Sequence, residues 1–204
     1  MTVNDVATQL KYGELRAVAS KHDLAAIVSY INLALIDLYG KFKISRSEQL
    51  IDLIDNTSIY PLNPNVMVVE TVFNELGELA VNDDSNINSV FTPSYDTLQV
   101  PNAKTGAQVS VLYIASPETL VVDTNDTITN AQIVRIPPQL LEPLLHYVGY
   151  RAHMSVNGDI KAENNTHYIR YNASCKRIVA EGLIRIDTVP ASVNLQEGIA
   201  DATD

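Results

Sequence analysis

Cysteine, tryptophan and phenylalanine are scarce in this chain. Its 204 residues include one cysteine, no tryptophan and three phenylalanines. A single thiol cannot form an internal disulfide, and Cys175 falls on an apolar helical stripe. We therefore expect a buried structural thiol there rather than a nucleophile. Because 46% of the residues are hydrophobic, the chain is long enough to bury one good core.

Basic residues are also few. Lys and Arg number 14 against 24 Asp and Glu, which gives a formal net charge of -10. Nonspecific DNA binding needs clustered cations that neutralise phosphates, so this balance disfavours it. A surface that repels a polyanion can still line a channel through which DNA moves.

Long apolar runs are missing as well. No stretch of about 18 apolar residues occurs, so we expect no membrane-spanning helix and no membrane partner. The first 19 residues do not combine a basic segment with an apolar run, so a secretory signal is not expected either. The sequence therefore predicts a protein that stays in the cytoplasm where it is made.

Motifs of catalysis are absent too: there is no Gly-rich phosphate loop, no Gly-x-Ser-x-Gly and no Cys-x-x-Cys. Glu142, His146 and His153 have metal-like spacing on one helix, but without a His-Glu-x-x-His pattern we expect no metal site. Residues 123–127 resemble a calcium loop that lacks its Gly and closing Glu, so we expect a turn. The sequence thus predicts no enzyme, no cofactor and no bound metal.

Helical periodicity is what the chain does have. An early stripe that begins near Asp23 and continues to Phe42 predicts one amphipathic helix. Residues 136–183 predict two further helices, which form a hairpin around a polar turn at residues 155–159. Pro143 would clash inside a regular helix, so we expect a kink or a short separate turn before it. Residues 1–22 mix weak helical signals with breakers.

Between these helices the period changes to short apolar runs broken by turn residues. Gly77 can take a positive φ angle between two such runs, which predicts a hairpin. The candidate strands, which suggest a small antiparallel sheet or sandwich, are residues 49–54, 66–73, 79–81, 89–92, 97–100 and 109–115. A short strand is expected at residues 133–136.

Tyrosine is the one unusual abundance. The chain has ten, and four of them belong to the late hairpin: Tyr147, Tyr150, Tyr168 and Tyr171. Tyrosine is favoured at protein interfaces because it can bury its ring while its hydroxyl remains exposed to solvent. A core that uses Tyr in place of Phe explains the pattern equally well, so both interpretations stay open.

The last 19 residues cannot bury a core. Residues 186–204 carry four acidic residues and no Lys or Arg, so we expect a flexible tail or an arm that orders against a partner. The fold class is therefore α+β. A helical core (1–43 and 117–185) carries an inserted antiparallel β domain (44–116) and an extended C-terminal arm (186–204).

Several segments together resemble bacteriophage head-to-tail adaptor proteins, and in particular the tail tubular protein A family of short-tailed phages. The resemblance covers most of residues 23–185 as a pattern. Its parts are the Leu38-Tyr39 helix end, the Ile59-Tyr60-Pro61-Leu62 step, the hairpin at 72–77, the Pro-led helix from Ile136 through Tyr150-Arg151-Ala152, and the final helix at 164–183.

The resemblance implies a nonenzymatic virion protein in the neck between head and tail, assembled in the host cytoplasm. In that family a dodecameric ring below the portal extends the DNA channel and docks the tail nozzle or tube. It implies that DNA passes without specific binding and that the arm reaches the portal; the candidate portal-docking residues are Val189, Val193, Leu195 and Ile199.

Two other functions stay open. One is a tail terminator or another head-completion protein, which many phages build as sixfold rings. The other is a small enzyme or ligand-binding domain in which alternating strand positions bring carboxylates together. The candidates for that role are Asp52, Asp55, Glu70, Glu75 and Glu78.

Overall fold

The first helix lies within residues 1–22, where weak helical signals are mixed with breakers. The computed structural model describes residues 1–122, 132–156 and 164–184. Helix α1 spans Val3–Tyr12 and buries Val3, Val6 and Leu10. Thr2 and Asp5 cap it reciprocally, because each side chain accepts a hydrogen bond from the other's backbone N–H. This capping box and the i, i+3, i+7 stripe were the missed signals.

Helix α2, Leu24–Phe42, confirms the predicted early helix. The Asp23 carboxylate accepts a 2.7 Å hydrogen bond from the Ala26 N–H as its N-cap. With a mean hydropathy of 1.3, α2 is long and apolar enough to cross a membrane. A helix at the centre of a folded core passes the same test, and Ile31, Ala34 and Leu38 of α2 are fully buried against other elements.

Seven strands in the described residues form two antiparallel sheets. One sheet has the order β1-β7-β3-β4 and the other has β2-β6-β5. Buried side chains from both sheets form one hydrophobic cluster, so the sheets pack face to face. The strands are β1 (Arg46–Asp52), β2 (Ile59–Pro61), β3 (Val66–Asn74), β4 (Gly77–Leu79), β5 (Phe91–Ser94), β6 (Thr97–Gln99) and β7 (Gln108–Ala115).

Several strand predictions need correction. Strand β1 begins three residues early, and β2 was not among the candidate strands because Pro61 and a three-residue length hide its pattern. The predicted strand at 133–136 is reduced to one bridge between Ile133 and Thr2. The Gly77 hairpin is confirmed: β3 pairs with β4, and Gly77 has φ 131°.

The late helices are α3, Leu141–Val156, and α4, Thr166–Ala180. A separate 3-10 turn at Pro138–Leu140 precedes α3, which confirms the expected break before Pro143. The two helices pack against each other, whereas most of the predicted connecting turn lies outside the described residues. Helix α4 begins at Thr166, where the Asn165 side chain caps the backbone N–H groups of His167 and Tyr168.

Two hydrophobic clusters divide the described chain. The helical region contains α1 to α4, whose buried side chains form the first cluster. The β region, residues 46–115, forms the second. Lys43, in the left-handed conformation at the end of α2 (φ 49°), pairs with Glu70 of β3 and so joins the two regions, while Arg46 of β1 pairs with the same carboxylate from within the β region. The α+β class is confirmed.

Candidate functional site

The residues predicted to dock on the portal lie outside the described part of the chain. Val189, Val193, Leu195 and Ile199 belong to residues 185–204. Their role stays a prediction. The calcium-like segment at 123–127 also falls outside the described residues.

The four tyrosines of the late helices contact one another. Tyr147 meets Tyr150 and Tyr171 edge to face, at centroid distances of 6.0 and 5.2 Å. Tyr168 lies 4.9 Å from Tyr150 and 6.4 Å from Tyr171. Tyr171 is buried and the other three are half-buried. The cluster therefore packs α3 on α4 and still presents ring edges and hydroxyls at the surface.

A polar network continues from Tyr171 toward α2. Its hydroxyl donates a short hydrogen bond to the Asp37 carboxylate and accepts one of 2.9 Å from the Lys41 ammonium. Burial, together with the bond to Asp37, raises the pKa of the Tyr171 hydroxyl, so it stays a donor. Cys175 is buried nearby, and burial raises the pKa of its thiol. This confirms the predicted buried thiol at Cys175.

The histidines meet in a different combination from the one that helix spacing suggested. Glu142, His146 and His153 do not form one set, because the His153 ring turns away and its Nε2 lies 3.1 Å from the Glu14 carbonyl oxygen. His146 instead faces the side chain of Glu14, which also contacts His167 of α4. No local signal marks Glu14, since it lies more than 130 positions before its partners.

The carboxylates of the enzyme hypothesis are engaged structurally in the β region. The Asp52 side chain accepts a hydrogen bond from the Gln108 amide, and the Asp55 side chain accepts one from the Thr105 N–H. Burial raises the pKa of the Glu70 carboxyl, but hydrogen bonds and charge from Lys43 and Arg46 outweigh it and hold the pKa below its usual value.

Glu75 and Glu78 are exposed and line an open groove of about 650 Å³ beside the β3–β4 hairpin. Asn74, Leu76 and Lys104 also line this groove. The hairpin carries Leu76, which is 95% exposed. These carboxylates thus lie on a surface projection and not in an enclosed pocket of the kind that shifts a catalytic pKa.

Exposed apolar side chains are distributed over both regions. Single exposed apolar residues need no explanation, but several on one element mark a candidate contact surface. They occur in pairs on α2 (Leu33 and Ile36), on α4 (Ile169 and Val179) and on the four-stranded sheet (Leu50 and Val68).

The described residues thus offer candidate contact surfaces on both helices and strands. The model of the SU10 adaptor protein family matches residues 1–193. The chain therefore belongs to the SU10 adaptor protein family, and it is a bacteriophage adaptor. The family implies a structural virion component at the head-tail junction, in contact with other head and tail proteins. No curated protein matches the chain.

Proposed function

We propose that this adaptor forms a dodecameric ring between the portal and the tail and so extends the DNA channel. The observation that carries the proposal is the family match over residues 1–193, which includes the helices, both sheets and part of the arm. The narrower similarity to tail tubular protein A belongs to the same proposal.

The charge of the chain supports a passage role. A net charge of -10 suits a channel wall that does not hold the DNA moving past it. Binding through phosphates would need clustered Lys and Arg. DNA therefore crosses the ring without specific contacts.

The distribution of exposed apolar side chains supports contacts with several neighbours. A ring is built from head-to-tail contacts, so each copy needs two different complementary surfaces. Leu33 and Ile36 on α2, and Ile169 and Val179 on α4, provide apolar side chains on two elements of the helical region. In this proposal the helices form the ring wall, and the β region projects toward the tail nozzle or tail tube.

The C-terminal arm is assigned to the portal. Val189, Val193, Leu195 and Ile199 are its apolar docking residues, in a segment whose other residues are mostly small or acidic. Docking neighbouring copies on a preformed portal makes each weak lateral contact part of a multivalent assembly. The free protein is then mostly monomeric and becomes a ring on its portal.

The test is the mass of the full-length protein, alone and with the portal protein of the same phage, by mass photometry. We expect a monomer of 22.4 kDa and a portal complex that gains a dozen copies. A sixfold ring in the absence of portal would instead indicate a tail terminator. Failure to bind portal and to form any ring would overturn the proposal.

Arm variants locate the portal contact. Replacing the four apolar residues with Ser should abolish assembly on the portal, as should truncation after Arg185. The matched control neutralises two acidic residues of the same arm, Glu197→Gln and Asp201→Asn, and should leave assembly intact. Normal portal binding by the truncated chain would remove the arm from the proposal without affecting the ring.

A further inference from the structure

A carboxylate and two imidazoles from three separate parts of the helical region converge at one point. Glu14 lies in the segment after α1, His146 is on α3, and His167 is in the first turn of α4. One ligand atom from each lies within 4.8 Å of the other two. Glu14 Oε1 is 3.3 Å from His146 Nδ1, and Glu14 Oε2 is 2.7 Å from His167 Nδ1.

These distances are close to those of a metal site. A tetrahedral Zn²⁺ with ligand bonds of about 2.0–2.1 Å separates its ligand atoms by roughly 3.4 Å. The Glu14–His146 separation already meets that value. The separation between the other carboxylate oxygen, Oε2, and His167 Nδ1 is shorter by about 0.7 Å. Binding of an ion therefore requires a rotation of the carboxylate, whose terminal torsion is a broad one.

Apart from Glu14, the two imidazole Nδ1 atoms have no partner in the described chain. Both Nδ1 atoms are buried, and neither has a hydrogen bond there, although the Glu14 oxygens lie within range. The Glu14 oxygens are thus close enough to the two Nδ1 atoms for hydrogen bonds, but the angles do not suit them. His146 is only 8% exposed, so its nitrogen has lost water without gaining a directed hydrogen bond. A metal ion would satisfy both atoms at once.

Glycine on α3 provides the space for this convergence. A Cβ at Gly149 would lie 2.9 Å from His167 Nδ1 and 3.2 Å from the Glu14 Cβ. Any other residue at this position would push the imidazole or the Glu14 side chain away. The close approach of Glu14 and His167 therefore depends on the absence of a side chain here.

Neighbouring groups restrict the orientation of the two imidazoles, one through a carboxylate and the other through ring stacking. His146 Nε2 faces the Glu142 carboxylate at 3.7 Å, and Glu142 in turn pairs with Arg177 at 2.5 Å. His153 stacks on His167 with a centroid distance of 4.6 Å and a tilt of 22°. A carboxylate behind a ligating histidine orients its ring and increases its basicity. An open cavity of about 440 Å³ reaches His146 from solvent.

From this geometry we propose that Glu14, His146 and His167 bind one Zn²⁺ ion. Two imidazoles and a carboxylate are a donor set that suits zinc, and a water completes the tetrahedron. The ion ties the segment after α1 to α3 and α4. His153 and Glu142 are positioning residues, because they act on the ligands and not on the metal.

The experiment measures Zn²⁺ binding to untagged full-length protein after removal of metals, by titration calorimetry at pH 7.5. We expect one Zn²⁺ per chain, and we expect Glu14→Gln, His146→Gln and His167→Gln each to weaken binding at least 100-fold. His22→Gln is the matched control. It removes an imidazole of the same region, whose Nε2 contacts the Ala152 carbonyl oxygen, and it should leave the affinity within about twofold.

Two measurements on the unmodified protein keep the test decisive if a variant folds poorly. Co²⁺ should give the visible absorption of a four-coordinate site and be displaced by Zn²⁺. Saturating Zn²⁺ should raise the Tm by about 5 °C or more, whereas Mg²⁺ should not. No binding at 100-fold molar excess of Zn²⁺, or the same loss of affinity in His22→Gln as in the cluster variants, would overturn the proposal.

Discussion

The two hydrophobic interiors of this adaptor differ in how they treat polar groups. Between the sheets, the buried polar tips are satisfied nearby: the Tyr60 hydroxyl donates to the Thr57 carbonyl, and the Tyr113 hydroxyl bonds Asn63 and Asn65. In the helical region a nine-tenths-buried histidine keeps a nitrogen without a hydrogen bond in the described chain.

Within the described residues the two regions therefore differ in how many buried polar atoms lack a hydrogen bond, and such atoms affect the stability of the fold. An unsatisfied buried polar atom costs roughly 1–3 kcal/mol, so a fold retains one only where something else compensates. The β region follows the pattern of a core built for stability. In the helical region the unsatisfied atoms are His146 Nδ1 and His167 Nδ1, and this is where the proposed Zn²⁺ would raise the free energy of unfolding.

The largest expected effect tests whether the two interiors are independent. Leu38 on α2 and Leu98 on β6 are both fully buried, and each change to Ala should cost about 2–5 kcal/mol of unfolding free energy. We expect Leu98→Ala to lower hydrogen-exchange protection in β3 and β7, and Leu38→Ala to lower it in α3 and α4.

The control for this pair is Leu76→Ala, because Leu76 is almost fully exposed and its change should alter stability by less than about 0.5 kcal/mol. If both core variants lowered protection equally in helices and strands, the chain would unfold as one cooperative unit. The two regions would then differ in the hydrogen bonding of their buried polar groups but not in their stability to local unfolding.

The sequence predicted the helical stripes well because their packing follows a local period. Helix α2 and the break before α3 came from residues close together in the chain. Helix α1 was missed, although Thr2, Asp5 and the Val3 stripe carried a complete local signal. Strand β2 was missed for a different reason: three residues that end in proline carry too little periodicity.

The candidate sites were harder to predict because they depend on distant pairings. The four tyrosines were placed on the late hairpin from the sequence, but their contacts with one another were not predicted. The Glu14 contacts were not predicted either, because a lone glutamate after Gly13 carries no motif. Helix spacing grouped His146 with His153, whereas the packing of α4 brought His167 beside Glu14. Only the tertiary fold decides such a combination.

A second comparison uses two helical glycines. Gly149→Ala places a Cβ against His167 and Glu14, so overpacking should destabilise the protein by about 1–3 kcal/mol. Gly40→Ala in α2 places a Cβ 3.5 Å from the Met67 Cε, an ordinary contact. That change should stabilise by up to about 1 kcal/mol, because Ala is the better helix former.

Denaturant unfolding of the two glycine variants measures this directly. Opposite signs would place the steric constraint at the histidine cluster and not in α-helices of this chain generally. A stabilising Gly149→Ala would mean that Glu14 and His167 yield easily, and it would argue against a fixed geometry there.

The smallest effect concerns the ion pairs of Glu70, one of which, with Lys43, joins the two regions. The Glu70 side chain is 9% exposed and contacts Lys43 Nζ at 2.6 Å and Arg46 Nε at 2.8 Å. Glu70→Gln should reduce stability by about 1–2 kcal/mol at pH 7, a value kept low because both cations are about one-third exposed. Glu75→Gln, on the exposed hairpin, is the matched control and should have little effect.

The contribution of Glu70 to stability should depend on pH. The native pKa of Glu70 lies below the unfolded value of 4.5, so on acidification the unfolded chain takes up the proton first. The stabilisation is therefore complete at pH 7 and is lost as the pH falls below about 4.5. The difference in unfolding free energy between wild type and Glu70→Gln, measured by urea unfolding, should disappear over that pH range. A gap that stayed constant down to pH 3 would mean that Glu70 joins the regions by packing and not by charge.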